Sequence, residues 1–424
     1  MSAKGIKAPH IHPVNPVIPA QVGNIVLGNG IPVYIIEGGT EEVMRIEFVL
    51  KAGQVRESLP LQASSTNMML TEGSGKYTSE DIKTMLDNYG VFYHLSAEKD
   101  TAGLIIYVLN KYVEKAFDLA AEILFNPVFP EKEFGIMMKK RLRWFLVSRE
   151  KVQTLASEKF FETLFGNNHP YGKPVTEKDF ETLNTGHLRN FFSAFYTPAN
   201  MSVIISGKTC ENLQEILEKH FGEIFPGRPP ETSAEQYFPG SPDKRIHISK
   251  QGAIQSAIRI GSATINKRHP DYPGLKVLNT VLGGFFGSRL MKNIREDKGY
   301  TYGIHSAAAS LNLSGYKVIS AEVSNKVTQN AIDEIYREIR VLQNEPVRNE
   351  ELELVRNYMS GEMVRMFDGP FAMAESFKAI WEFDLNVNYY TRLADTIRTI
   401  TPDALLQLAN RYYNINDLYE IVAG

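Results

Sequence analysis

The chain carries the same pattern twice. Residues 90–97 read Gly-Val-Phe-Tyr-His-Leu-Ser-Ala, and residues 299–307 read Gly-Tyr-Thr-Tyr-Gly-Ile-His-Ser-Ala. Asn126-Pro127-Val128 closes one expected long helix, and Glu345-Pro346-Val347 closes another. The two echoes lie 209 and 219 residues apart. Units of that size are duplicated domains, not solenoid repeats. Residues 225–242, with five prolines, form the clearest linker. The expected plan is therefore an extended arm (1–20), a first domain (21–224), the linker (225–242) and a second domain (243–424).

Each unit mixes antiparallel strands with amphipathic helices, so the expected class is α+β. Residues 23–36 read as a hairpin turning at Gly28-Asn29-Gly30. Residues 45–51 read as a strand and 61–70 as a helix. Thr78-Ser79-Glu80-Asp81 caps the next helix, which stops at Gly90. Strands follow at 91–97 and 102–109, then long helices at 112–125 and 131–149. The helix at 186–195 leads through a Tyr-Thr-Pro turn into the strand at 201–205. In the second unit, strands at 245–249 and 256–261 precede helices at 272–282 and 325–343.

Bulk properties exclude several classes. The 424 residues carry a net charge of −3, so no strong field toward nucleic acid is present. The one cysteine, Cys210, can form neither an internal disulfide nor a thiolate metal cluster. No segment reaches the roughly 20 apolar residues of a membrane span. The first residues lack a signal-peptide core, so a cytoplasmic location is expected, or a periplasmic one if a signal was removed. His10-x-His12 is a weak chelate at most. No phosphate-loop or nucleophile-elbow motif occurs.

Residues 283–303 hold the most functional information. They read as a glycine turn, a short helix, a turn and a strand. Ser288 is expected to cap the helix. Phe286, Leu290 and Ile294 are expected to share its buried face, and Gly299 to end it in a left-handed conformation. Tyr300, Tyr302 and Ile304 then alternate along a strand. Arg295 and Tyr302 meet at this junction and can face a bound chain. Equally, Arg295 reads as a solvated C-terminal cation and Tyr302 as a packed sheet aromatic.

This stretch resembles the C-terminal domain of the peptidase M16 family, the inverted zincins. There an Arg and a Tyr seven positions apart hold the substrate backbone near a zinc carried by another domain. Arg295 and Tyr302 match that spacing, with Arg289 as a rival. The order His169-Pro-Tyr-Gly, helix, Tyr196-x-Pro-x-Asn, strand is similar to the family's first domain. The resemblance implies two similar domains, each with helices packed on one face of a sheet.

It also implies a His-x-x-Glu-His zinc motif, which this sequence lacks. The motif falls on Ala63, Thr66 and Asn67, of which Ala63 has no donor atom and the other two offer neutral oxygens. Counting on to the third ligand reaches residues 139–144, a run without a carboxylate. Its bases Lys139, Lys140, Arg141 and Arg143 are expected on a solvated or inter-domain face. His169 reads as structural. His94 and His305, in the two repeat segments, read as packed.

The resemblance thus implies a subunit with no metal of its own, inactive by itself. It would pair with a zinc-bearing M16 subunit and lend Arg295 and Tyr302 to peptide hydrolysis by that heterodimer. The alternative is a non-catalytic peptide-binding or scaffold protein, possibly a homodimer, as in M16 relatives of the respiratory bc1 core.

Overall fold

A computed structural model describes residues 21–228 and 240–424. The expected N-terminal arm, with His10 and His12, and residues 229–239 of the expected linker lie outside the described residues.

The first sheet is built from β1 (Gly23–Val26), β2 (Pro32–Glu37), β3 (Val43–Leu50), β4 (Phe92–Ala97), β5 (Ala102–Leu109) and β6 (Met201–Gly207). Its spatial order is β1-β2-β6-β3-β5-β4. The second contains β7 (Arg245–Ile248), β8 (Gln255–Thr264), β9 (Ile304–Leu311), β10 (Ser314–Ser324) and β11 (Tyr419–Ala423), in the order β7-β11-β8-β10-β9. In each sheet the first and last strands of the repeat lie side by side and parallel, β2 with β6 and β7 with β11. Every other pairing is antiparallel. Apart from the added β1, the two sheets have one topology, and β4 corresponds to β9. The chain is thus an α+β protein of two like domains.

Local chemistry accounts for the elements. Thr78 Oγ1 accepts from Asp81 N at 3.2 Å, and Asp81 Oδ2 accepts from Thr78 N at 3.0 Å, so a full capping box opens Ser79–Asn88. Gly90, at φ +62°, ends that helix in the left-handed region. In β3 the even-numbered Met44, Ile46, Phe48 and Leu50 are fully buried under the domain's own helices. The odd-numbered Arg45, Glu47 and Val49 are also buried, on the opposite face.

That opposite face is covered by an exchange. The Gly369–Trp381 helix of the second half lays Met373, Ala374, Phe377 and Trp381 on Tyr34, Ile36, Val49 and Ile204 of the first sheet. In return, the Val152–Phe165 helix of the first half sets Phe160, Leu164 and Phe165 against Ile246, Val318 and Ile421 of the second. Each sheet therefore has its own helices on one face and a borrowed helix on the other. The His169 turn belongs to this junction. His169 Nδ1 accepts from Tyr171 N at 2.9 Å. The Tyr171 hydroxyl donates to Asp100 in the β4–β5 loop and accepts from Leu313 N of the β9–β10 loop at 3.2 Å. His94 and His305, by contrast, are exposed on their strands rather than packed.

The duplication extends to side chains. Asn67 Nδ2 donates to Gly103 O at 3.1 Å and to Tyr196 Oη at 3.2 Å. Asn279, on the helix after β8, donates to Ser306 O at 2.9 Å and accepts from Tyr413 Oη at 3.4 Å. Beneath the Tyr413 ring lies Lys317, 4% exposed, its ammonium 5.1 Å from the ring centroid and hydrogen-bonded to Ser262. Burial pushes its pKa from 10.5 down to about 8. A lysine lowered in the folded state destabilises the fold below pH 8, and that cost fades as pH rises from 8 to 10.5. Lys317→Met is therefore expected to add about 3 kcal/mol at pH 7. The gain over the native chain should shrink as denaturation is repeated toward pH 10.5. An equal gain at every pH would contradict this account.

Candidate substrate-binding site and the Ala63 to Asn67 helix

The Arg295 helix is short and wide. Met291–Asp297 is a π-helix, closed by Lys298 N donating to Asn293 O at 3.0 Å. Such turns often mark functional positions. Leu290 and Ile294 are fully buried and anchor the segment. Gly299 takes φ +67°, as the sequence requires.

Three local expectations are corrected. Ser288 does not cap the helix, because its hydroxyl is buried with no hydrogen-bond partner among the described residues. Phe286 does not share the buried face of Leu290 and Ile294. It lies in the preceding turn, 60% exposed, with the Arg295 guanidinium 4.6 Å from its ring centroid. Tyr302 is not in a strand, since β9 begins at Ile304. Thr301 Oγ1 bonds Glu322 O and Gly303, holding the chain in a bend that turns Tyr302 outward, 94% exposed.

Arg295 is half-buried, and no ion pair engages it among the described residues. Its rival differs. Arg289 forms a bidentate pair with Glu351, Nε to Oε1 at 2.8 Å and Nη2 to Oε2 at 2.9 Å. Its third nitrogen, Nη1, has no hydrogen-bond partner among the described residues but is buried away from solvent, so the donors left over are not presented at the surface.

The helix carrying Ala63, Thr66 and Asn67 is packed shut by other bonds. The Gln62–Met68 helix buries Ala63, Ser65, Thr66 and Asn67. Thr66 Oγ1 donates to Gln62 O at 2.8 Å, so its hydroxyl serves its own helix. Asn67 is committed to Gly103 and Tyr196. The basic run is not uniformly solvated. Lys139, Lys140 and Arg143 are exposed, but Arg141 turns inward. Its Nη2 donates to Ser64 Oγ at 2.8 Å and its Nη1 to Ser65 Oγ. Glu57 lies beside it, accepting from Ala63 N at 2.8 Å. Burial pushes the Glu57 carboxyl up to about 7, against the pull of that N–H and of Arg141. A guanidinium thus stands over the motif helix. These residues do not fit zinc: Ala63 has no donor, the Asn67 amide is engaged and a fixed cation is already present. Among the described residues no three His, Cys, Asp or Glu side chains converge.

Sequence reading missed both Glu57 and the inward turn of Arg141. The second had a signal. Phe134, Met138, Arg141 and Phe145 recur at helical spacing on the inward face of Glu131–Ser148, so Arg141 alone of the four bases is in phase with the buried residues.

Two family models match the chain. The insulinase (peptidase family M16) model covers residues 63–177, beginning at Ala63, and the peptidase M16 inactive-domain model covers residues 182–359. The chain belongs to the peptidase M16 family. It is 23% identical over 340 residues to the uncharacterized zinc protease YmxG of Bacillus subtilis, covering 79% of this chain and 82% of that one. An uncharacterized zinc protease of Rickettsia felis is 21% identical, covering 92% and 94%. The fold matches the crystal structure of a peptidase M16 inactive domain from Pseudomonas fluorescens (TM-score 0.87, 21% identity, 95% of this chain and 98% of that). A protease from Helicobacter pylori matches with TM-score 0.84 at 16% identity, covering 95% and 99%. No helix among the described residues is long and apolar enough to cross a membrane.

Proposed function

We propose that this chain is the metal-free half of a split M16 peptidase. A zinc-bearing M16 subunit would cut the peptide, and this chain would present Arg295 and Tyr302 to the backbone carbonyl at the cleavage point. The observation that carries the reading is the contrast between two arginines. Arg289 is bound to Glu351, while Arg295 rests on the exposed ring of Phe286 and Tyr302, seven residues on, is turned outward. A guanidinium and a phenol aimed at one carbonyl oxygen stabilise the negative charge that develops there during hydrolysis. The relatives named as zinc proteases support a peptide as the substrate, and the neighbour named as an inactive domain supports loss of the metal chemistry. The Arg141 guanidinium over the motif helix supports it as well.

The test is peptide hydrolysis by the chain alone and by the chain mixed with a zinc-bearing M16 subunit from the same source. Activity is expected in the mixture, with zinc in the partner only. If the two form no complex by sedimentation and the mixture shows no gain, the proposal fails and a scaffold or homodimeric peptide-binding role replaces it. Zinc in the lone chain, with activity abolished by a chelator, would overturn the reading of Ala63, Thr66 and Asn67.

A further inference from the structure

The duplication gives the metal-motif cleft a twin. In the first half, Ala63 and Ser64 of the motif helix and Ala97 at the end of β4 line a cleft of about 360 Å3, with Glu57, Glu98 and Lys99 around it. In the second half, Lys276, Asn279 and Thr280 of the helix after β8, with Ser306 and Ala307 of β9, line a cleft of about 300 Å3. Asn67 and Asn279 hold corresponding places, each linked to the tyrosine that ends the helix before its unit's last strand. Three residues before the asparagine stands Ser64 in one helix and Lys276 in the other. The first cleft brings its cation from the facing helix, as Arg141, and gives it carboxylate company in Glu57. The second carries its cation on the motif-equivalent helix itself.

Lys276 differs from its neighbour Lys267 in having no bonded partner. No hydrogen bond or ion pair to its ammonium occurs among the described residues, and burial alone lowers its pKa. Lys267, close enough to repel it, is satisfied by Ala379 O at 2.8 Å and by the Phe383 ring. Glu362 sits at the same cleft but pairs with Arg365 along its own helix. The rest of the facing wall is Tyr358, Met359, Met363 and Met366. Thioether side chains adapt to ligands of varied shape. A partly buried ammonium with no hydrogen bond or ion pair among the described residues, on the wall of an open cleft whose own carboxylate, Glu362, is engaged by Arg365, is complementary to an incoming anion.

We propose that this second cleft is a carboxylate receptor, in which Lys276 binds a carboxylate of a peptide whose apolar neighbours pack on the methionine wall. The inference rests on the reading of the chain as a peptide-handling M16 subunit, but it concerns a site apart from Arg295 and Tyr302. The carboxylate is either an Asp or Glu side chain or the peptide's C-terminus.

The test is fluorescence anisotropy of labelled peptides titrated with the full chain. Three peptides are compared: one with an internal Glu and a free C-terminus, its Gln counterpart, and its C-terminal amide. Removal of the recognised carboxylate is expected to weaken binding about tenfold. Loss with Gln assigns the side chain, and loss with the amide assigns the C-terminus. Lys276→Met should abolish that difference without lowering the melting temperature, since it removes a desolvated charge. As a check on the native chain, the preferred peptide should slow acylation of Lys276, read by mass spectrometry. Equal binding of all three peptides, or unchanged discrimination in Lys276→Met, overturns the proposal. Because binding is measured without a partner subunit, that failure leaves the Arg295 reading standing, and failure of the mixed-subunit assay leaves this one standing.

Discussion

Arg295→Ala is expected to lower peptide hydrolysis by the assembled pair about 10²–10³-fold in kcat, the range for removing one donor from a developing oxyanion. The loss should fall on kcat more than on KM, because the bond strengthens as negative charge accumulates on the carbonyl oxygen. The fold should not suffer. Arg295 gives up a single contact with the Phe286 ring, worth about 0.5–1 kcal/mol at an exposed site. Arg289→Ala is the matched control with the opposite profile. It severs a bidentate pair with Glu351 that is mostly buried, so melting temperature should fall while kcat at low temperature stays near the native value. Tyr302→Phe should resemble Arg295→Ala, since Tyr302 is 94% exposed and its hydroxyl contributes nothing to packing. Full activity in Arg295→Ala with an intact complex would refute the clamping role. The same loss in both arginine variants would mean that a damaged helix, not a lost donor, is the cause.

How far the sequence reveals this architecture depends on the range of the interactions involved. The capping box at Thr78 and the left-handed Gly90 and Gly299 are set by residues within a few positions of each other, and each is found where the chain places it. The repeat segments at 90–97 and 299–307 lead into the corresponding strands β4 and β9. The reading stops at residue 347, and the rest is long-range. Beyond that point lie four helices and β11, which inserts between β7 and β8. Arg45 and Glu47 fill the polar positions of the β3 alternation yet are buried, and only the exchanged helix from residues 369–381 explains that. Tyr302 illustrates the same limit at the site. Its alternation with Tyr300 and Ile304 suits a strand, but the hydrogen bonds of Thr301 to Glu322 and Gly303 hold a bend instead. The absence of metal-ligating side chains at Ala63, Thr66 and Asn67 is plain in the sequence, whereas the inward turn of Arg141 onto Ser64 and Ser65 needed the packing of one helix against another.

Glu47→Ala is expected to cost about 3–5 kcal/mol, the penalty for removing one partner of a buried ion pair. Glu47 is 1% exposed and binds two cations, Arg45 Nη2 and Lys378 Nζ, each at 2.7 Å. Arg45 comes from the same strand, but Lys378 comes from the Gly369–Trp381 helix, so the carboxylate ties the first sheet to the second half of the chain. Its loss strands two positive charges. Arg45 would keep only Tyr107 Oη at 3.2 Å, and its Nη1 already lacks a partner among the described residues. Lys378 has Glu382 at 3.9 Å, too far to replace a bond at 2.7 Å. Against a typical total of about 5–15 kcal/mol, a loss of this size should shift the urea midpoint sharply. The attribution to stranded charge, rather than to lost attraction, has its own signature. Replacing all three groups together, as Arg45→Met, Glu47→Leu and Lys378→Met, should recover most of the stability, because no buried charge remains without a partner. If the triple variant is as unstable as Glu47→Ala alone, the ion network itself holds the exchanged helix on the sheet. If Glu47→Ala costs less than about 1 kcal/mol, the site admits water and is not the closed junction described here.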